Sequence, residues 1–382
     1  MIYLDNNSTA PVLPDVLQAM LPCFAESFGN PSSIHGCGRR ALAHIKEARQ
    51  QVAALLGCLP AEVIFTTGGT EGDNLALKGM LNPGDHLIVS AIEHSAILST
   101  CTWLEKHGCE INRVSVNPHG QVEPASIKAA LRKNTRLISV TMANNETGVL
   151  QPVDEIGRIA AEADVWFHTD AVQAAGKVPI SVEKIRCDLL SISAHKFHGP
   201  QGVGALFVRR GTPLRPQLHG GHQERRRRPG TENVAGIAGL GLASQIALAG
   251  LTDGSVERLA ALRDRLESAL TMLIPETRIN GRGAPRVPNT SNILFEHVGG
   301  DALVLALDEL GIVASRGSAC SAGAVDPSSV LMAMGLNGEQ SRSSLRFSLG
   351  KQNTADEIER AIAAIPRSVE KLREESAIFW SA

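Results

Sequence analysis

Between Val63 and Val208 the chain alternates short apolar runs with helix-forming stretches, and this alternation restricts its fold more than any other feature. Val63–Thr66, His86–Ser90, Glu110–Val116, Leu137–Met142 and Val165–His168 read as strands, as do the two apolar runs within 189–208. Asn74–Met80, the stretch after Ser95, Pro124–Leu131 and Asp154–Ala163 read as the helices between them. Such alternation predicts an α/β fold with a mostly parallel sheet and helices on both faces. Sheets of this kind bind ligands beyond the carboxyl ends of their strands. This chain gathers its polar residues at those ends: Thr67–Glu71, Glu93–Ser95, Asn144–Gly148, Asp170 with Gln173, and Ser193–Lys196.

Each cluster has a chemical reading beside a plain one. Lys196 follows a strand, next to His195, among small residues and glycines. Partial desolvation there would lower its pKa and free its amine for a Schiff base with a carbonyl, most commonly pyridoxal phosphate. The plain reading is a solvated surface lysine. The Gly68-Gly69 turn before a helix offers free N–H groups to a phosphate, although such turns also occur without ligands. His94 is either a ring over a cofactor, a general base or a satisfied loop histidine. Ser95 is the expected cap of the helix that follows. Asn144, Asn145 and Glu146 are costly to bury unpaired, so they are expected to be solvated or to bind something polar. Asp170 either pairs with a protonated ring nitrogen or caps a helix from Ala171. Arg225–Arg228 is either a solvated patch or a holder of phosphate or carboxylate. Cys320 sits in Ser315–Ala324, a loop of small residues that suits a thiol that must reach a substrate.

Composition removes several classes of function. A net charge of −2 argues against nucleic-acid and membrane binding on electrostatic grounds. The N-terminus has no signal-peptide pattern, and the longest apolar run, Ala235–Leu251, is interrupted by glycines and reads as a core helix. Cys23, Cys37, Cys58, Cys101, Cys109, Cys187 and Cys320 form no Cys-x-x-Cys pair, which argues against a disulfide scaffold or zinc knot and for a cytoplasmic protein. With 382 residues the chain exceeds one ordinary domain. A composition shift after Gly250 divides it into a large domain, 14–250, and a smaller α+β domain, 1–13 with 251–382.

Elsewhere the pattern is local. Pro14 opens a helix with Val16, Met20, Cys23 and Phe24 on one face. A second helix carries Ala41, Ile45, Ala48, Val52 and Leu55 and stops at Gly57. Leu259, Leu262, Leu266, Leu270 and Leu273 share a helical face, and Thr354 with Glu357 forms a capping box for the last helix.

Taken together, these stretches resemble the cysteine desulfurases of the NifS/IscS type, within the class V aminotransferases. The resemblance rests on Tyr3–Asn7, Phe28–Ser33, Thr67–Glu71, Asn144–Gly148, Ser193–Lys196, Pro229–Asn233, Gly317–Cys320 and Arg346–Gly350, in that order along nearly the whole chain. It implies the aspartate aminotransferase-like fold, fold type I, of pyridoxal 5′-phosphate enzymes. By resemblance Lys196 is the Schiff-base lysine and His94 the ring-stacking histidine. Asp170 is the acid on the ring nitrogen, and Gln173 and Asn145 are contacts to the ring oxygen and substrate. Gly69, Thr70, Ser193 and His195 form the phosphate cup, and Thr231 reaches the neighbouring subunit's phosphate in a homodimer. Arg346 clamps the substrate carboxylate, and Cys320 takes the sulfur of L-cysteine as a persulfide. The loop after Cys320 has the long form of the IscS-like group. The implied acceptor is a partner such as an iron–sulfur scaffold, with tRNA thiolation and DNA modification as other routes. A selenocysteine lyase, or an aminotransferase-like enzyme that does not use Cys320, is the alternative within the fold. Ala10, His222, Arg316 and the density of Arg225–Arg228 depart from the family pattern.

Overall fold

The computed structural model describes residues 1–317 and 327–381. Among them is a seven-stranded sheet in the spatial order Val63–Thr66, Gly204–Val208, Leu189–Ser193, Trp166–Asp170, Thr135–Ser139, His86–Ser90 and Glu110–Val114. Gly204–Val208 alone runs against its neighbours, and the other pairings are parallel. The expected mostly parallel sheet is therefore present, with one reversed strand. The central strands are buried on both faces, as apolar runs such as Leu-Ile-Val require. The edge strand Glu110–Val114 is largely polar and partly exposed, which guards an open edge.

Helices cover both faces. Gly69–Met80 and Ser95–Lys106 pack Leu75, Leu77, Ile97 and Leu104 against Ile64, Leu87 and Leu206. Gly36–Leu56, Val153–Glu162 and Val234–Gly250 pack Ile45, Val52, Ile156, Ile237 and Leu240 against Phe65, Ile138 and Ile192 on the other. Gly57 ends the first of these in a left-handed conformation at φ 67°, as the sequence suggests. A third apolar cluster joins Ile2 and Leu4 to Leu266, Leu270, Ile293, Phe347 and Ile362. Its strands are Thr277–Ile279, Thr290–Phe295 and Ser344–Ser348, which pair antiparallel, while Ile2–Tyr3 pairs with Ile312–Val313. Among the described residues no single helix is long and apolar enough to cross a membrane.

Several local expectations are corrected. Phe24 is 66% exposed, because Pro22 restarts the helix as Pro22–Ala25 and turns Phe24 away from buried Val16 and Cys23. Leu273, at the end of helix Ser255–Leu273, is exposed as well. The strand read from Val165 starts one residue later, at Trp166, and ends at Asp170 as expected, its ladder with Leu189–Ser191 extending through Asp170. Residues 172–177 then form turns, and Asp170 Oδ1 accepts from Val172 N at 2.8 Å, so Asp170 closes a turn and begins no helix.

The reversed strand brings the Gly68 loop against the lysine strand. A Cβ on Gly204 would lie 2.5 Å from Ile192 O and 2.7 Å from Gly68 Cα. Both neighbours are backbone, so neither can rotate away. We expect Gly204→Ala to destabilise the cofactor-free protein by about 2 kcal/mol. Thermal or urea unfolding checks this, and an unchanged midpoint contradicts it.

Candidate active site

The carboxyl ends of the strands open into a cavity of about 480 Å³. Its lining includes Gly69, Thr70, His94, Asn145, Asp170, Gln173, Ser193, His195, Lys196 and Arg346. These residues come from separate parts of the chain, and Asn7 and Ser8 of the N-terminal segment join them.

Lys196 ends the short turn Ala194–Lys196 that follows strand Leu189–Ser193. Its Nζ donates to Asn7 O at 2.7 Å and to Ser8 O at 2.8 Å, so the amine is held at the cavity rather than in bulk solvent. The Nδ1 of His195 lies 3.1 Å from Thr9 Oγ1, and burial with the Lys196 charge pushes its pKa down to about 4. His195 is therefore a neutral imidazole near neutral pH.

The floor of the cavity is acidic. Burial raises Asp170 above the usual carboxylate range, opposed by His94, the Val172 N–H and Lys196. Asp73 is raised well above its ordinary value by burial and then by Asp170. Burial pushes Glu93 up to about 8, against hydrogen bonds from Ser90 Oγ and Thr141 N. Both Asp73 Oδ1 and Glu93 Oε2 lack a hydrogen-bond partner among the described residues. His168 lies 3.5 Å from Asp73 Oδ1, but burial pushes its pKa down to about 3. The ring is therefore a neutral imidazole near neutral pH, and Ser139 and Ser191 hold it at 2.9 and 3.1 Å.

A corner of unpaired backbone N–H groups adjoins this floor. Helix Gly69–Met80 starts there, and the N–H groups of Gly69 and Thr70 have no acceptor among the described residues. A Cβ on Gly69 would lie 2.6 Å from Val172 Cγ2, so glycine lets the helix start approach the Asp170 turn. A neighbouring cavity of about 440 Å³ shares Ser8, Gly69, Thr70, Ser193 and His195 and opens on the same loop.

His94, not Ser95, caps the next helix. Its Nδ1 accepts from Ala96 N at 3.2 Å, which fixes the ring at the cavity edge. Asn144 is buried rather than solvated: its Oδ1 accepts from Glu146 N, Thr147 N and Thr147 Oγ1, and its Nδ2 donates to Ile92 O. Buried Glu146 accepts from Ser328 Oγ at 2.6 Å, and desolvation raises its pKa. Arg346, 1% exposed, donates from one terminal nitrogen to Asp5 Oδ1 and Ser8 Oγ, both at 2.7 Å. The other donates to the carbonyls of Asn145 and Gly317, leaving Nε–H without a partner among the described residues.

One expected site residue stands apart, and another is not described. Thr231 is exposed and does not line this cavity. Cys320 lies outside the described residues, although Gly317 and Pro327 on either side both line the cavity. The arginine run is partly paired: Arg228 bonds Glu71 at 2.9 Å, and Arg225 donates to Val63 O at 3.2 Å. Arg316 pairs with Asp301. Sequence reasoning gave no site role to Asn7, Ser8, Asp73, Glu93 or Lys177. Asn7, Ser8 and Glu93 lie in polar stretches just after a strand, which is a local signal, whereas Lys177 acquires its Asn7 partner through a distant segment.

Comparison with known proteins agrees with this geometry. The model of the aminotransferase class-V family matches residues 2–361. The chain belongs to the class-V aminotransferases. Cysteine desulfurase IscS of Methanosarcina thermophila is 47% identical over 381 residues, covering 99% of this chain and 94% of that protein. The cysteine desulfurase of Gluconacetobacter diazotrophicus is 44% identical over 384 residues, covering 99% and 96%. A solved NifS-like protein superposes with a TM-score of 0.90 at 36% identity, covering 97% of this chain and all of that one. The class-V aminotransferases depend on pyridoxal 5′-phosphate, and the residues present fit it. A lysine amine, a buried acid and a glycine-lined helix start bound one cavity and match its carbonyl, ring nitrogen and phosphate in kind.

Glu93 permits a test of the acidic floor. Its pKa is raised on folding, so its contribution is complete below about 4.5 and is lost as pH rises toward 8. Glu93→Gln should therefore gain stability relative to the parent between pH 5 and pH 8, on the order of 2 kcal/mol. Chemical denaturation of the cofactor-free protein at both pH values measures it. An equal effect at the two would mean that Glu93 is ionised when folded.

Proposed function

We propose that this protein is a pyridoxal-phosphate-dependent cysteine desulfurase that converts L-cysteine to L-alanine and passes the sulfur on through Cys320. The observation that carries this reading is the cavity shared by the Lys196 amine, Asp170 and the Arg346 guanidinium. The solved complex of SspA with cysteine supports the substrate, with a TM-score of 0.82 at 35% identity over 93% of this chain and all of that one.

Bound pyridoxal phosphate supplies an electrophilic carbonyl carbon and a ring that accepts the electron pair left at the substrate Cα. Lys196 would hold the cofactor through its amine and would move the proton at the substrate Cα. Asp170 holds the proton at the ring nitrogen, and His94, fixed by its helix-capping bond, flanks the ring. Gly69, Thr70, Ser193 and His195 receive the phosphate. Asn145 and Gln173 make polar contacts to substrate and ring oxygen. Arg346 receives the substrate carboxylate through a guanidinium already oriented by Asp5, Ser8 and two carbonyls.

The Cys320 thiolate then attacks the sulfur of L-cysteine. A sulfur–sulfur bond forms, the substrate Cβ–S bond breaks, and protonation of the released carbon gives alanine. Cys320 is three residues beyond Gly317, a reach of about 10 Å from the cavity wall.

The 14–250 portion acts as the cofactor domain, and 1–13 with 251–382 as the smaller domain carrying the thiol loop. The separate apolar cluster around Leu266 and Phe347 supports this division. The working form is a homodimer in which Thr231 serves the neighbouring subunit. Exposed Leu21, Phe24, Phe28 and Ile34, the last 91% exposed, support an apolar contact. The sulfur acceptor is a protein such as an iron–sulfur scaffold. Free Cys23, Cys37, Cys58, Cys101, Cys109 and Cys187 support a reducing, cytoplasmic setting.

Cys320→Ser should keep the visible absorbance of the bound cofactor but lose sulfide release from L-cysteine by at least about a hundredfold. Undiminished release in that variant would rule the mechanism out. Arg346→Lys keeps the charge but loses the planar fork, so KM for L-cysteine should rise about tenfold with the absorbance band retained. Steady-state kinetics with L-cysteine decides it.

A further inference from the structure

Lys177 is a buried amine that the chemistry above does not use. It lies beyond the Asp170 turn, is 8% exposed, and donates from Nζ to Asn7 Oδ1 at 2.9 Å and Gln173 Oε1 at 2.6 Å. Gln173 donates from Nε2 to the main-chain oxygen of Asn7 at 2.9 Å. A main-chain oxygen only accepts, so that end of the amide is its NH2 group and the end facing Lys177 is its oxygen. The second Nε2–H remains available on a residue that lines the cavity.

Asn7 is fixed by the same contacts. Its Oδ1 accepts from Lys177 and from Asn289 at 3.2 Å, and its Nδ2 donates to Thr290 Oγ1 at 2.9 Å and Asn145 O at 3.2 Å. Its main-chain oxygen receives both Gln173 and Lys196 Nζ. Lys177 thus reaches Lys196 through one residue and the cavity through another.

We propose that Lys177 is a positioning residue for the cofactor site, orienting Gln173 with an N–H donor toward the cofactor and holding the Asn7 carbonyl that receives Lys196. The proposal rests on the pyridoxal-phosphate reading. Its target on the cofactor is an acceptor, the oxygen borne by the ring. Burial pushes the Lys177 pKa well below that of an ordinary lysine, with Lys196 and Arg346 adding to the effect. In either protonation state the amine has N–H bonds for both oxygens. The cavity behind it, lined by Lys177, Lys196 and His198, is only about 40 Å³, too small for a ligand beyond water.

The test uses full-length protein reconstituted with pyridoxal 5′-phosphate. Lys177→Met keeps the side-chain length and removes the donors. It should bind cofactor about tenfold more weakly, shift the visible absorbance maximum and lower kcat more than it changes KM. Lys177→Gln, which restores a donor, should return the maximum toward that of the parent. Should Lys177→Met not fold, Gln173→Glu provides the second reading. It keeps the Lys177 contact as an ion pair, carries no ionised-state donor toward the cavity and should also displace the maximum. An unchanged maximum and affinity in a folded Lys177→Met variant, or an unchanged maximum in Gln173→Glu, overturns the proposal. Failure of the cofactor reading is distinguishable, because the parent protein would then show no visible band.

Discussion

The hydrogen bonds made by residues 5–10 tie the active-site cavity together. Asn6 and Asn7 bond to Ser348, and Asp5 bonds to Arg346, which anchors the segment to the C-terminal antiparallel sheet. Asn7 O, Ser8 O and Ala10 N bond to Lys196 and His195, which anchors it to the large sheet. The segment therefore fixes the distance between the lysine turn and Arg346, although their chain neighbours, Ala194 and Phe197 on one side and Leu345 and Phe347 on the other, pack in different apolar clusters. Its bonds lie mostly out of water, where leaving one partner unpaired costs about 1–3 kcal/mol.

Desolvation governs the charges within that frame. Asp73, Glu93, Asp170 and Glu146 share a small region, and burial raises the pKa of each. Four ionised carboxylates there would repel strongly. Burial disfavours the ionised form of each, and nearby cations oppose it at two of them: His94 and Lys196 at Asp170, and Arg346, His94 and Arg316 at Glu146.

The alternation of strands and helices was legible because it follows periodicity, and so was the collection of polar residues at strand ends. Lys196, Asp170, His94 and Gly69 could be named because each lies at or just beyond the carboxyl end of a strand. Caps were less legible: His94 rather than Ser95 provides the cap. Asn144 could be read only as solvated or bound to something polar, because one of its partners, Ile92, becomes a neighbour only in the fold. Lys177 carried no local signal at all, since its importance lies in Asn7, 170 positions away.

The Asp5–Arg346 pair has a consequence for what can enter the cavity. A buried guanidinium without an anion would be costly, and Asp5 supplies one from within the chain. A molecule that binds Arg346 must therefore offer it a negative group to compete with or add to that bond. Under the proposed function the carboxylate of L-cysteine would do so, whereas its decarboxylated analogue, cysteamine, has none to offer.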